Sequence, residues 1–272
     1  MSLPELLDLL RAGVRVVDLG RPLFVGMPQS PNHAQYRMAL TRRHGDMVRA
    51  DGGSAAADML VTGAHVGTHI DALCHVSHDG LLHGGVDATK AQVGGGFSVH
   101  GAETIEPMVR RGVLLDVPAA LGLATCQGGY EITPDDLDAA VGRQGVFVGE
   151  GDVVLIRSGW GRHWGDAVAY VGKDTGVPGV GEAGARWLAE RRVHAVGADT
   201  IAFERLTPGA GHALLPAHRV LLVEHGIYII ETLVLDELAE RGIGEFLFVL
   251  APLKLVGATG SPVRPLAVVS GG

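Results

Sequence analysis

From residue 112 to residue 251 the chain alternates short apolar, β-branched runs with segments that carry helix signals, and this rhythm allows few folds. Residues 112–117 read as a buried strand that Pro118 ends. Thr133-Pro134-Asp135-Asp136 opens a helix with a cap, a first-turn proline and acidic residues at its positive end. Strands follow at 152–157 and 193–198, with a helix at 182–192 turning Ala185, Leu188 and Ala189 inward between them. Residues 227–231 form a strand, 233–241 a helix and 246–251 the last strand. Earlier strands are expected at 14–19 and 59–62. No repeat and no linker-like stretch interrupts the pattern. The reading is one α/β domain with a mixed sheet, spanning residues 1–272.

Composition narrows the function classes. Hydrophobic residues make up 47% of the 272 and charged residues 19%, enough apolar mass for a sizeable core. The net charge of −8, with no compensating basic block, argues against a nucleic-acid partner. Two cysteines, Cys74 and Cys126, cannot form a disulfide framework and fit a reducing cytoplasm. The first residues read as a short capped helix, with Ser2 as cap, Pro4 in its first turn and Leu3, Leu6, Leu7 and Leu10 as its apolar stripe. Glu5, Asp8 and Arg11 occupy the places where a targeting segment would be apolar. The longest apolar runs are too short to span a membrane.

Chemistry concentrates in one place. His65, His69, His75, His78 and His83 put 5 of the 13 histidines within 19 consecutive residues; an even spread would put about one there. His65 and His69, four apart, then Asp71 two residues on, offer three donors suited to a borderline divalent metal. A strand spreads these donors too far apart, and a helix turns Asp71 and His75 away from the imidazole pair. The chain must therefore bend, and Gly67-Thr68 is where it can. Other glycine-rich stretches read as loops: Gly94-Gly95-Gly96 has no Gly-Lys-Ser/Thr after it and is not a phosphate cradle.

The pattern His65-x-Gly67-Thr68-His69-x-Asp71, with His75 four residues later, resembles the signature of the metal-dependent cyclase hydrolases, a family that includes arylformamidases (kynurenine formamidases) and isatin hydrolases. Leu73 stands where the family pattern has proline. The segment Asp18-Leu19, Pro22-Leu23, Gly26-Met27-Pro28 is similar to the family's opening. The resemblance runs from Asp18 to Ala267 and implies the swivelling β/β/α fold, with Phe24, Gln29 and Asn32 as pocket candidates. Trp160 and Trp164 are further candidates for setting specificity. The resemblance also implies a later histidine and glutamate, matched by His218 and Glu231, with His212 and His225 as competitors for the histidine role. Their spacing is one residue longer than in typical formamidases. Glu231 interrupts an apolar strand, where a carboxylate is rarely buried without a partner.

His65, His69, Asp71, His218 and Glu231 are thus the expected ligands of one or two divalent ions, zinc or manganese, with Asp71 able to bridge two. His75, just beyond the ligands, is the expected proton shuttle. The expected reaction is hydrolysis of a small amide, arylformamidase-like, in a cytoplasmic homodimer or homotetramer. Opening of a cyclic amide of the isatin kind, or of a lactone, is the alternative, and a non-catalytic metal-binding protein of the same fold is a further one. A thiol hydrolase built on Cys74 and His75 is disfavoured, because sequence neighbours on an extended chain point to opposite faces.

Overall fold

The computed structural model describes Leu7 and residues 11–271, so the helix expected at residues 2–10 lies, apart from Leu7, outside the described residues. Nine strands pair into one sheet: β1 (Val14–Asp18), β2 (His69–Asp71), β3 (Met108–Asp116), β4 (Val153–Arg157), β5 (Ala195–Ala198), β6 (Tyr228–Glu231), β7 (Glu245–Leu250), β8 (Gly260–Pro262) and β9 (Leu266–Ser270). Their spatial order is β1-β9-β7-β3-β4-β5-β6-β2-β8. The four central strands β3 to β6 run parallel. Every pairing on either side of them is antiparallel.

The central strands are apolar almost throughout because both of their faces are covered. Val113 and Leu115 of β3, Val154 and Ile156 of β4, and Val196 and Ala198 of β5 enter one core, against the helices. The alternate residues Leu114, Val153, Leu155 and Ala195 enter a second core on the opposite face. Helix α1 (Pro134–Gln144) starts as expected. Thr133 Oγ1 accepts from the Asp136 amide at 3.3 Å, and Asp136 Oδ2 accepts from the Thr133 amide at 2.9 Å. Helix α2 (Glu182–Glu190) buries Ala185, Leu188 and Ala189.

Three expectations need correction. Residues 246–251 are not the last strand, since β8 and β9 follow and β9 pairs with both β1 and β7. These late strands are short, and β8 contains Pro262, so neither carries a strong strand signal alone. The helix expected at 233–241 shrinks to Asp236–Glu240, because Leu233 and Leu235 are drawn into the core before it starts. The glycine triplet 94–96 is not an open loop but sits at the turn of a small hairpin, Gln92–Val93 against Gly96–Phe97. The strand expected at 59–62 is present as Ala57–Val61 and pairs with Arg37–Arg42 in a separate ribbon.

Candidate active site

The site lies where the sheet changes from parallel to antiparallel, between β6 and β2, a natural crevice in α/β sheets. Register does the first part of the assembly: Glu231 of β6 stands directly opposite His69 of β2. Asp71, two residues along, shares the face of His69, while Ile70 and Ile230 point into the core on the other side. Asp71 is paired with Gly260 of β8, and a Cβ on Gly260 would lie 2.8 Å from the His65 ring. Glycine there leaves room for the imidazole.

The bend expected at Gly67-Thr68 is present. Gly67 has φ +67°, and a side chain on it would also collide with Leu23. Thr68 ties the bend down: its hydroxyl donates to Thr232 O at 2.7 Å and accepts from the Arg21 amide at 2.8 Å.

His218 arrives from another direction. It ends a short helical turn, Pro216–His218, that runs into a π-helix, Arg219–His225, anchored by buried Val220, Leu221 and Leu222. Such π segments often mark functional sites. Beneath His218 sits Glu204, which is buried and accepts from the amides of Ala217 and His218 at 3.1 and 2.9 Å. The same carboxylate lies 2.6 Å from His218 Nδ1.

Three imidazoles are held in the same manner. His218 Nδ1 is engaged by Glu204 and His69 Nδ1 donates to Gly67 O at 2.8 Å, so both rings turn Nε2 inward. His65 is reversed, with Nε2 on Thr259 Oγ1 at 2.8 Å and Nδ1 inward. Outer partners of this kind fix the ring orientation of metal-ligating histidines. His69 Nε2 lies 3.5 Å from Asp71 Oδ1 and 3.4 Å from Glu231 Oε2. His218 Nε2 lies 3.6 Å from Asp71 Oδ2 and 3.3 Å from Glu231 Oε1. These gaps are long for hydrogen bonds. They match the roughly 3.4 Å between donors that bonds of about 2.0–2.1 Å give around a tetrahedral ion. Only His65 Nδ1 to Asp71 Oδ1, at 2.7 Å, is a hydrogen-bond distance.

The donors fall into two groups that share Asp71: His65, His69 and Asp71, then Asp71, His218 and Glu231, with the donor atoms of each group within 4.8 Å of one another. All five residues are buried. Asp71 Oδ2 is buried without a hydrogen-bond partner, a costly state for a carboxylate oxygen that a cation would relieve. Electrostatics agree. Burial alone would raise Asp71, but the His75 and His65 imidazoles hold it well below the usual carboxylate range. Burial would likewise depress His218, yet its contacts with Asp71, Glu204 and Glu231 hold it well above an ordinary histidine. The carboxylates demand positive charge, and a divalent ion is the compact way to supply it. The cluster suits a divalent metal.

A cavity of about 30 Å³ opens on this cluster, lined by His65, His69, His218 and Glu231 together with Ser30, His33, His75, Ile201, His212 and Leu215. His75 stacks on His65, with ring centroids 3.8 Å apart, and burial pulls it down to about 3.

The chain matches the sequence model of the Cyclase family over residues 17–205. The chain belongs to the cyclase family. It is 27% identical over 228 residues to isatin hydrolase from Roseibium aggregatum, covering 81% of this chain and 77% of that protein. A shorter match, 38% over 79 residues, covers 29% of the chain and 32% of kynurenine formamidase from Polaromonas naphthalenivorans. A crystal structure of a novel cyclase superposes with a TM-score of 0.83 at 28% identity, covering 98% of this chain and 93% of the other. The single-domain α/β architecture with a large mixed sheet is thus the cyclase fold, and the enzyme is a hydrolase of this family.

Within this cyclase-family chain, His65, His69, His75, His218 and Glu231 all line one cavity, and Asp71 joins four of them through the two donor groups. His212 lines the cavity too, but His218 is the histidine in the donor cluster, while His225 lies at the far end of the π-helix. His78 is half exposed beside Asp79 and stands outside the site. The aromatic and loop candidates fare differently. Phe24 is exposed, Gln29 accepts from the Tyr36 amide, and Asn32 lines a neighbouring cavity. Trp160 donates to Tyr170 O, and Trp164 packs edge-on against the Tyr170 ring. None of these five lines the inner cavity. Cys74 is buried, its thiol pushed up to about 11 by burial and donating toward Ala258 O at 3.5 Å. A thiol so placed is no nucleophile.

Proposed function

We propose that the protein hydrolyses a small amide, arylformamidase-like, with His65, His69, Asp71, His218 and Glu231 holding one or two divalent ions and His75 moving the proton. The observation that supports this best is the pair of donor groups sharing Asp71 at the wall of a cavity that His75 also lines. When bound, a divalent metal supplies Lewis-acid polarisation of a carbonyl and makes water nucleophilic near neutral pH. His69, His218 and His65 keep their inward nitrogens aimed through Gly67 O, Glu204 and Thr259. His75, stacked on His65 at the cavity wall, takes a proton as water adds to the carbonyl carbon. It returns that proton to the nitrogen as the C–N bond breaks, leaving a carboxylic acid and an amine. Ring opening of a cyclic amide is the second reading, favoured by the long match to isatin hydrolase. The two readings share every residue above and differ in the leaving nitrogen, which is released in one and retained in the product in the other. A lactone is attacked in the same way. Histidine-rich donors with two carboxylates accommodate zinc or manganese.

Metal removal tests the proposal. Dialysis against a chelator should abolish turnover of N-formyl aryl amines and of isatin. Zinc or manganese should restore it, with elemental analysis reporting one or two ions per chain. Full turnover in a metal-free sample would overturn the reading.

Residues 1–272 are proposed to work as one hydrolase domain in the cytoplasm, where the two buried free thiols suit a reducing medium. No helix among the described residues is long and apolar enough to cross a membrane. A homodimer or homotetramer is proposed from the ribbon Arg37–Arg42 with Ala57–Val61. Met38, Leu40, Met59, Leu60 and Val61 are each about half exposed there. Met38, Leu40 and Leu60 share one face of the ribbon; a two-stranded ribbon is marginal alone, and an apolar patch on that face points to a covering surface. Light scattering at micromolar concentration should give a mass of two or four chains; a monomer counts against it.

A further inference from the structure

His212 lines the inner cavity without belonging to either donor group. It also lines a second, outer cavity of about 360 Å³, and among the described residues it is the one shared by both. Opposite it, the segment 30–33 divides between the two spaces: Ser30 and His33 face the inner cavity, Pro31 and Asn32 the outer. The wall between the cavities is thus His212 on one side and residues 30–33 on the other.

Size decides what this wall does. An inner space of about 30 Å³ holds roughly one water molecule, not an amide. Small-molecule sites run from roughly 300 to 1,000 Å³, and of these two cavities the outer one reaches that range. Its lining includes Val171, Leu206, Ala210 and Ala213, with Lys173 also present. The loop carrying His212 is turn-rich and partly exposed. Gly209 and Gly211 both have positive φ, Leu214 is 80% exposed, and the Gly209 amide donates to Lys173 O at 2.9 Å. No side-chain hydrogen bond among those found in the described residues fixes the His212 ring.

We propose that His212 is a specificity-determining wall: the reacting carbonyl passes it to reach the donor cluster, while an apolar body on the substrate stays in the outer cavity. This rests on the amide-hydrolase reading. The substrate class is therefore an amide with an apolar group on one side and a small group, such as formyl, on the other. Truncating His212 joins the two cavities; enlarging it seals them.

The test uses full-length protein loaded with zinc, with metal content measured first. Formanilide serves as the bulky substrate and N-methylformamide as the small one. His212→Ala should raise the ratio of kcat/KM, bulky over small, by about tenfold, and His212→Trp should lower it about as much, the modest size of effect that steric changes in a pocket give. A second readout needs no turnover: the rate at which 1,10-phenanthroline strips the zinc should rise about tenfold in His212→Ala and fall in His212→Trp, by the same steric scale. Leu214→Ala, in the same loop but lining neither cavity, should change nothing. Equal stripping rates and an unchanged ratio in wild type and both variants would overturn the wall while leaving the hydrolase reading intact. A protein that takes up no zinc, or one that turns over neither amide, would overturn the hydrolase reading and this proposal with it. Thermal melting of each variant separates a lost fold from a changed wall; if one variant fails to fold, the other still decides.

Discussion

Asp71→Asn should purify without its metal and without activity. The substitution keeps the shape of the side chain and its place opposite Gly260, so β2 still pairs on both sides. What it removes is the negative charge common to both donor groups. Oδ2, buried and without a hydrogen-bond partner, would become an amide group with no acceptor or no donor to meet. Loss of an outer-shell partner costs about 10–100-fold in affinity or activity. Loss of the shared ligand should exceed that, leaving turnover at background. Elemental analysis and an activity assay on the same sample check it. A variant that keeps its full metal content would remove Asp71 from the ligand set.

His75→Ala should behave in the opposite way, retaining metal while turnover falls by roughly 10²–10⁴-fold, the range for a lost general acid or base. His75 stacks on His65 but belongs to neither donor group, so the substitution leaves all five proposed ligands in place. Because burial pulls His75 down to about 3, the limb it supplies lies on the far acid side of the pH–rate profile, and the variant should lose that limb. If the variant is instead metal-free, His75 is a ligand, and the proton must move through another residue of the cavity, with His33 and His212, which also line it, the next to test.

Most of the α/β core was legible because its signals are local. Thr133-Pro134-Asp135-Asp136 carries a cap, a first-turn proline and acidic residues within four positions, and α1 begins there. The central strands are apolar on both faces and stand out as continuous runs. What escaped notice depends on partners remote in sequence. β8 and β9 are short and acquire their identity from pairing with β2, β1 and β7. Leu233 and Leu235 fit a helical pattern yet are claimed by the core, so the helix starts at Asp236.

The candidate site divides similarly. Its first four residues sit in one dense motif around a glycine bend. Glu204 could have been found by the argument used for Glu231, since it follows the apolar run Ile201-Ala202-Phe203 and is buried. Thr259 and His33 carry no such signal. One is an ordinary hydroxyl and the other a lone histidine in a polar loop, and only the folded chain brings them to His65. The tryptophans pack around Tyr170, since large aromatic rings are as useful to a core as to a pocket.

Thr68 and Thr232 are joined by a hydrogen bond although 164 positions separate them along the chain. Beside that bond, His69 faces Glu231 across two strands. Side chains alternate along a strand, so a slip of one residue between β2 and β6 would send His69 or Glu231 to the opposite face. The centre therefore cannot be half-built. During synthesis, the residues before position 72 must wait for nearly all of the chain before their partners exist, and long-range pairings of this kind form late. Once formed, an ion seated there fastens an early strand to a late one. It would stabilise the native state in proportion to the logarithm of its free concentration. Loading with metal is then a signal that the sheet has closed in register, which neither half of the sequence could give alone.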